Sequence, residues 1–197
     1  MITLILLSLV VGIVAGYTGV IPAWVQANFD FLINCALCLL MWGIGLEIGG
    51  NRQILRQVGS LGYRIIFLPL AVAGGSIAGT LFVGSLLGMS PGDSAAIGAG
   101  FGWYSLSGVL LAKLHSVELG ALAFLTNVSR ETLSIILIPV VARYAGPFAA
   151  VAPGGATTMD VTLPLIVKFV GTDMALVAFF HGLVLSALVP VLVPLLV

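Results

Sequence analysis

Two stretches, Ala95 to Ala112 (AAIGAGFGWYSLSGVLLA) and Phe148 to Val167 (FAAVAPGGATTMDVTLPLIV), decide how this chain folds. Each is apolar enough to enter a membrane. Each also mixes Gly, Ser, Thr and Pro into that background, which weakens a regular helix and leaves backbone groups in need of partners. They read as broken helices. Irregular backbone at membrane depth is tolerated only where it is buried in protein or lines a wet cavity, so two such breaks imply a cavity.

The surrounding sequence supplies the membrane. Of 197 residues, 60% are hydrophobic and 7% charged, against roughly a quarter charged in soluble domains. Apolar runs long enough to cross a hydrocarbon core about 30 Å thick fall at 2–21, 31–50, 63–87, 119–142 and 174–197. The expected class is an all-α polytopic membrane protein with about five transmembrane helices plus two broken or re-entrant elements. The first run lacks a basic leader region and reads as a retained span. Zero net charge and the absence of Lys/Arg runs argue against nucleic acid, leaving the lipid bilayer and small molecules as partners. Cys35-x-x-Cys38 lies inside an apolar run with no second Cys pair to complete a soft metal site, so it reads as helix packing. No G-K-[ST] follows the glycines, so nothing points to a P-loop or ATP, and no cofactor is expected.

Orientation follows from Arg52, Arg56 and Arg64, which place the loop after the second span in the cytoplasm. The turn-rich Gly88-Met89-Ser90-Pro91-Gly92-Asp93 carries no basic residue and reads as an outside loop. If Ala95 to Ala112 enters and returns, the fourth span brings Arg143 to the cytoplasm. That arrangement keeps four of the seven basic residues inside and is the preferred one.

Shifting the chain by 55 positions gives a gapless self-match from Ala95 to the end. It pairs Gly100 with Gly155, Lys113 with Lys168, Phe124 with Phe179 and Pro139 with Pro194; Ser105 meets Asp160, Ser107 meets Thr162 and Glu118 meets Asp173. The expected units are an N-terminal three-span region (1–94), a first repeat (95–142) and a second (150–197), each repeat being a broken element followed by a full span. Entering from opposite sides, the two would form an inverted repeat, an architecture through which secondary transporters alternate access around a midplane site.

The candidate residues follow from charge and hydroxyls placed where lipid would exclude them. Glu131 lies near the middle of the fourth span, where a charge costs on the order of 2.5 to 3.5 kcal/mol and normally faces a cavity or partner. Its neighbour Arg130 points about 100° away and makes a poor local pair. Asn127 is one turn earlier on the Glu131 face, placed to bond to it or to a substrate. Asp160 follows the glycines of the second break, either as a helix cap or to handle a cation or proton, and Thr158 and Thr162 flank it. Tyr104, Ser105 and Ser107 open the helix after the first break, whose backbone amides are placed to cradle a carboxylate. His181 serves either as a proton relay or as an interhelical bond. Glu47, near a span end, reads as a snorkelling surface acid.

The strings Phe101-Gly102-Trp103-Tyr104-Ser105-Leu106-Ser107-Gly108, Arg130-Glu131, Ile138-Pro139, Gly155-Ala156-Thr157-Thr158-Met159-Asp160-Val161-Thr162-Leu163-Pro164 and His181-Gly182 resemble the LysO-type lysine exporter family. The resemblance covers the whole chain against the C-terminal two-thirds of a full-length member. It implies export of L-lysine, or a related cationic amino acid, across the bacterial inner membrane. It also implies two essential intramembrane acids, mapped onto Glu131 and Asp160. The departure is the absence of an N-terminal region of about three spans, so a small membrane subunit supplies it or the chain acts alone or as a homo-oligomer. Exporting a net +1 solute against a negative-inside potential costs about 2.3 kcal/mol per 100 mV, so exchange for a proton, or for sodium, is expected. Two acids also fit an intramembrane hydrolase, but they differ in type and setting. That reading is set aside, and the chain is not expected to be an enzyme.

Overall fold

The computed structural model describes residues 2–29, 31–32, 35–36, 38–39, 42–43, 46 and 64–197. The chain divides into two compact units, 1–49 and 50–197. Every element among the described residues is helical. In the first unit, α1 (Ile2–Thr18) is followed by the single turn α2 (Ala23–Ala27). Cys35 and Cys38 are free, exposed thiols, and no metal-binding cluster occurs among the described residues. Glu47 and most of the expected second span lie outside the described residues.

The second unit opens with α3 (Arg64–Leu86), then α4 (Pro91–Gly98), a break, and α5 (Tyr104–Leu114). The 29-residue α6 (Val117–Ala145) follows, then α7 (Pro147–Val151), a 3-10 stretch over Ala152–Met159, α8 (Leu163–Val170), a 3-10 turn over Thr172–Met174 and α9 (Ala175–Leu196). Among the described residues, three segments are long and apolar enough to cross a membrane: Ile65–Leu86, Val117–Ala145 and Thr172–Leu196. They correspond to the third, fourth and fifth expected spans. The first expected span stops three residues early, because α1 ends at Thr18. At 1.5 Å per residue, α6 is about 43 Å long, so it must tilt within, or project beyond, a core about 30 Å thick.

The local chemistry explains where the elements begin. The Ser90 hydroxyl accepts the Asp93 N–H at 3.1 Å and Pro91 occupies the first turn, a favoured start. Residues read from sequence as the end of a loop therefore already belong to α4. The Ser116 hydroxyl caps α6 in the same way through the Leu119 N–H, at 3.1 Å. Outside the bilayer-facing helices, His115 pairs with Asp93 at 3.4 Å and ties the end of α5 to the start of α4.

Packing relies on small residues, as membrane helices require where no hydrophobic force separates protein from lipid. A Cβ on Gly120 would lie 2.5 Å from the Ala112 Cβ and 2.6 Å from the Gly108 carbonyl oxygen, so α5 and α6 meet almost backbone to backbone. One apolar core gathers Ile65, Ile138, Val151, Ile166, Met174, Val177 and Ala178. Half of the apolar window of α9 is buried, against 17% for α3 and 22% for α6, so α9 is the central helix of this unit. The other two present Phe67, Phe82, Leu125 and Ile136 outward, the surface expected of helices whose solvent is lipid.

Candidate functional site

Both broken elements are interrupted where their glycines cluster, and the interruptions touch. The Ala156 N–H donates to the Phe101 carbonyl at 2.9 Å, and these two residues stand 55 apart, in the register of the self-match. Phe101 is buried with φ 48° and Gly102 follows at φ 96°. Gly155 sits at φ 59°, ψ −129°, a conformation essentially reserved for glycine. A Cβ there would fall onto the Phe101 carbonyl oxygen.

Each break rests against the long helix that follows it in the chain. On α6, the buried Asn127 accepts the Gly102 N–H at 2.7 Å and donates to the carbonyls of Ala123 (2.9 Å) and Ile97 (3.4 Å) and to the Ser107 hydroxyl (3.3 Å). Ser107 in turn donates to the Trp103 carbonyl at 2.8 Å. Asn127 therefore spends its amide on the first break, and of the two roles read from sequence, a bond to Glu131 or to a substrate, the bond to Glu131 is not made. The position 55 residues on, Gly182 of α9, lies against the second break so closely that a Cβ would stand 2.5 Å from the Met159 nitrogen and 2.8 Å from the Ala156 oxygen. Asn127→Ala would orphan the buried Gly102 N–H, at a cost of about 1–3 kcal/mol. A thermal midpoint lowered by about 2–12 °C in detergent is expected; an unchanged midpoint would argue against the brace.

The second break is lined with hydroxyls turned inward. Thr157 donates to the Gly154 carbonyl at 2.8 Å and shares a 3.3 Å bond with the buried Thr162. The Thr158 hydroxyl reaches the carbonyls of Gly155 (2.8 Å) and Ala178 (2.7 Å). Neither Thr158 nor Asp160 caps α8, which begins at Leu163 without a side-chain cap. Asp160 is exposed and accepts the Val161 N–H at 2.5 Å. Arg130 turns toward this break, donating to the carbonyls of Pro153 (3.3 Å) and Ala152 (3.5 Å) and to the Ser76 hydroxyl (2.9 Å). Arg130 and Glu131 do not pair, as their adjacent helical positions imply.

Glu131 is half-buried beside the crossing, and its Oε2 is buried without a hydrogen-bond partner. Its carboxylate and that of Asp160 lie close enough to act on each other, and both act on the Tyr104 phenol. Tyr104 also stacks edge-on against Phe124 at 5.4 Å. The structure thus brings Tyr104, Glu131 and Asp160 into one electrostatic neighbourhood. It groups Asn127 with Ser107 at the first break, and Thr158, Thr162 and Arg130 at the second. Ser105 is exposed on α5. His181 is fully buried with neither ring nitrogen bonded, within electrostatic reach of Arg130. An open groove of about 580 Å³ runs beside this region, lined by Thr126, Ser129, Arg130, Leu133 and Pro153 among others.

Sequence reasoning missed Ser76 and Thr157. Ser76 follows Gly74-Gly75 in the middle of a span and precedes Thr80 by one turn, a small and polar stripe of the kind used at membrane helix contacts. Its hydroxyl donates to the Gly98 carbonyl at 2.8 Å, joining α3 to the end of α4.

No solved structure matches the chain. The Escherichia coli (strain K12) protein named lysine exporter LysO is 34% identical over 184 residues, covering 93% of this chain and 60% of that protein. A Haemophilus influenzae protein, provisionally named a lysine exporter, is 30% identical over 178 residues, covering 88% of this chain and 90% of that protein. The chain thus spans about three-fifths of the length of the E. coli relative. The family model described as lysine exporter LysO matches residues 6–197, and the chain belongs to that family.

Proposed function

We propose that this chain forms the substrate pathway of a secondary exporter of L-lysine across the bacterial inner membrane, coupled to inward proton movement. The observation that carries the reading is the crossing of two broken elements beside Tyr104, Glu131 and Asp160. A lysine ammonium needs carboxylates; a lysine carboxylate needs N–H and O–H donors. Glu131 and Asp160 supply the first. Tyr104, Ser105 and the uncapped starts of α5 and α8 supply the second. Asn127, Ser107, Thr158, Thr162 and Arg130 hold the two breaks in shape around them, and His181 lies beside the second. The orphaned Glu131 oxygen supports the assignment, since a buried acceptor without a partner calls for a ligand, a proton or water.

In this reading the segments 95–142 and 150–197 are two inverted units behind an N-terminal region, 1–94. The Phe101–Ala156 contact supports it, because it joins equivalent positions of the two. Alternating access would rock one unit against the other about that contact. A proton taken up as lysine leaves would cancel the electrical work of about 2.3 kcal/mol per 100 mV. Sodium would do so equally, and proton exchange is preferred because protonation of a carboxylate needs no further ligands.

The second reading is a partner-dependent one, in which a small membrane subunit or a second copy completes the transporter. Reconstituting the purified chain alone in liposomes loaded with labelled lysine tests both. Saturable efflux, accelerated by an inward proton gradient and not by an inward sodium gradient, is the expected result. Efflux that appears only when another membrane protein is added would favour the second reading, and indifference to both gradients would overturn the coupling.

A further inference from the structure

Arg130 presents a problem of charge. No carboxylate approaches its guanidinium within ion-pair distance among the described residues, although an uncompensated cation at membrane depth is costly. Its partners are the carbonyls of Ala152 and Pro153, where α7 unwinds into the 3-10 stretch, and the Ser76 hydroxyl. The Ser76 hydroxyl in turn donates a hydrogen bond to the carbonyl of Gly98, the last residue of α4. Both half-helices therefore direct C-terminal carbonyls at one guanidinium, directly from the second break and through Ser76 from the first. Carbonyls at such ends carry a partial negative charge, and in transporters built from broken helices they coordinate the cation. The backbone makes room for this cation: a Cβ on Gly155 would stand 3.1 Å from the Arg130 Nη2, and one on Gly102 would stand 3.7 Å from the Arg130 Cδ.

We infer that the crossing of the two breaks is a cation-binding site whose resident cation is the tethered guanidinium of Arg130, with Ser76 completing its ligands. This extends the proposed function, since a site filled by the protein's own side chain takes no free sodium. It also defines a ligand class for the vacated site: a small planar cation bearing several N–H donors, with guanidinium as the simplest example.

The test is chemical rescue of Arg130→Ala, read first by thermal unfolding of the full chain in detergent. Loss of charged hydrogen bonds should lower the midpoint by about 5–10 °C. Millimolar guanidinium chloride should raise the variant's midpoint by about 3–5 °C at tenfold excess over its Kd, while leaving the parent protein unmoved. Tetramethylammonium chloride at the same ionic strength, which has no N–H to donate, should do nothing. A variant unfolding at the parent temperature, or responding equally to both salts, would overturn the inference. If Arg130→Ala yields no folded protein, Ser76→Ala carries the test. Its midpoint should fall, and Ser76→Thr, which keeps the hydroxyl, should restore it; an unchanged midpoint in Ser76→Ala would refute the ligand role. Because unfolding reads the cation site whether or not the protein moves lysine, rescue of stability without lysine flux in any form would leave this site standing and reject the transport reading.

Discussion

Gly155→Ala is expected to abolish export and to lower stability sharply. The residue combines φ 59° with ψ −129°, a region that costs an L-residue about 1–3 kcal/mol. The new Cβ would also overlap the Phe101 carbonyl, the acceptor of the Ala156 N–H, and forced overlap in a packed interior adds about 1–3 kcal/mol. The sum, about 2–6 kcal/mol, is a large share of the 5–15 kcal/mol that separates folded from unfolded states. Relief would require the two breaks to part, carrying Arg130 with them. Gly74→Ala is the control: a Cβ at that position on α3 would have nothing within 4 Å of it, and the substitution should leave unfolding and flux unchanged. Comparing the two in detergent melting curves and in proteoliposomes checks the claim; equal behaviour would refute it.

That contrast shows what a sequence carries and what it leaves out. Both breaks were legible, because Gly, Pro and hydroxyl residues concentrated in an apolar run cannot sustain a regular helix in lipid. The third to fifth spans were legible for the complementary reason, a long uninterrupted apolar run having little else to become. The early start of α4 was not, since Ser90 and Pro91 serve a turn and a helix cap equally well. Residue roles were harder still. Asn127 looked like a partner for Glu131 because the two share a helix face, yet its amide goes to backbone groups of Ile97 and Gly102, which local spacing does not bring near. Arg130 showed only as a poor local pair for Glu131, and its ligands were out of reach, because the carbonyls that hold it exist only once α7 has unwound. Ser76 drew no notice, since a serine beside glycines in a span carries no charge to explain.

Glu131 and Asp160 are the residues for which composition alone raised suspicion, and the second large effect is expected there. Glu131→Gln and Asp160→Asn keep shape and remove charge, so helix packing should survive. What goes is the partner of a dehydrated lysine ammonium, and leaving one member of a buried charge pair alone costs about 3–5 kcal/mol. Lysine flux through the double variant should therefore fall by about 100-fold or more, with a melting temperature near that of the parent. Each single variant should lose most of the flux, the loss at Glu131 being the larger because its Oε2 is buried and unpartnered whereas Asp160 is exposed.

The most direct measurement of the central claim is efflux of labelled L-lysine from proteoliposomes containing equal amounts of parent protein and of the Glu131→Gln/Asp160→Asn variant, both shown to be folded. The account predicts saturable efflux through the parent and none above the protein-free background through the variant. Efflux at the parent rate with both acids neutralised would contradict it.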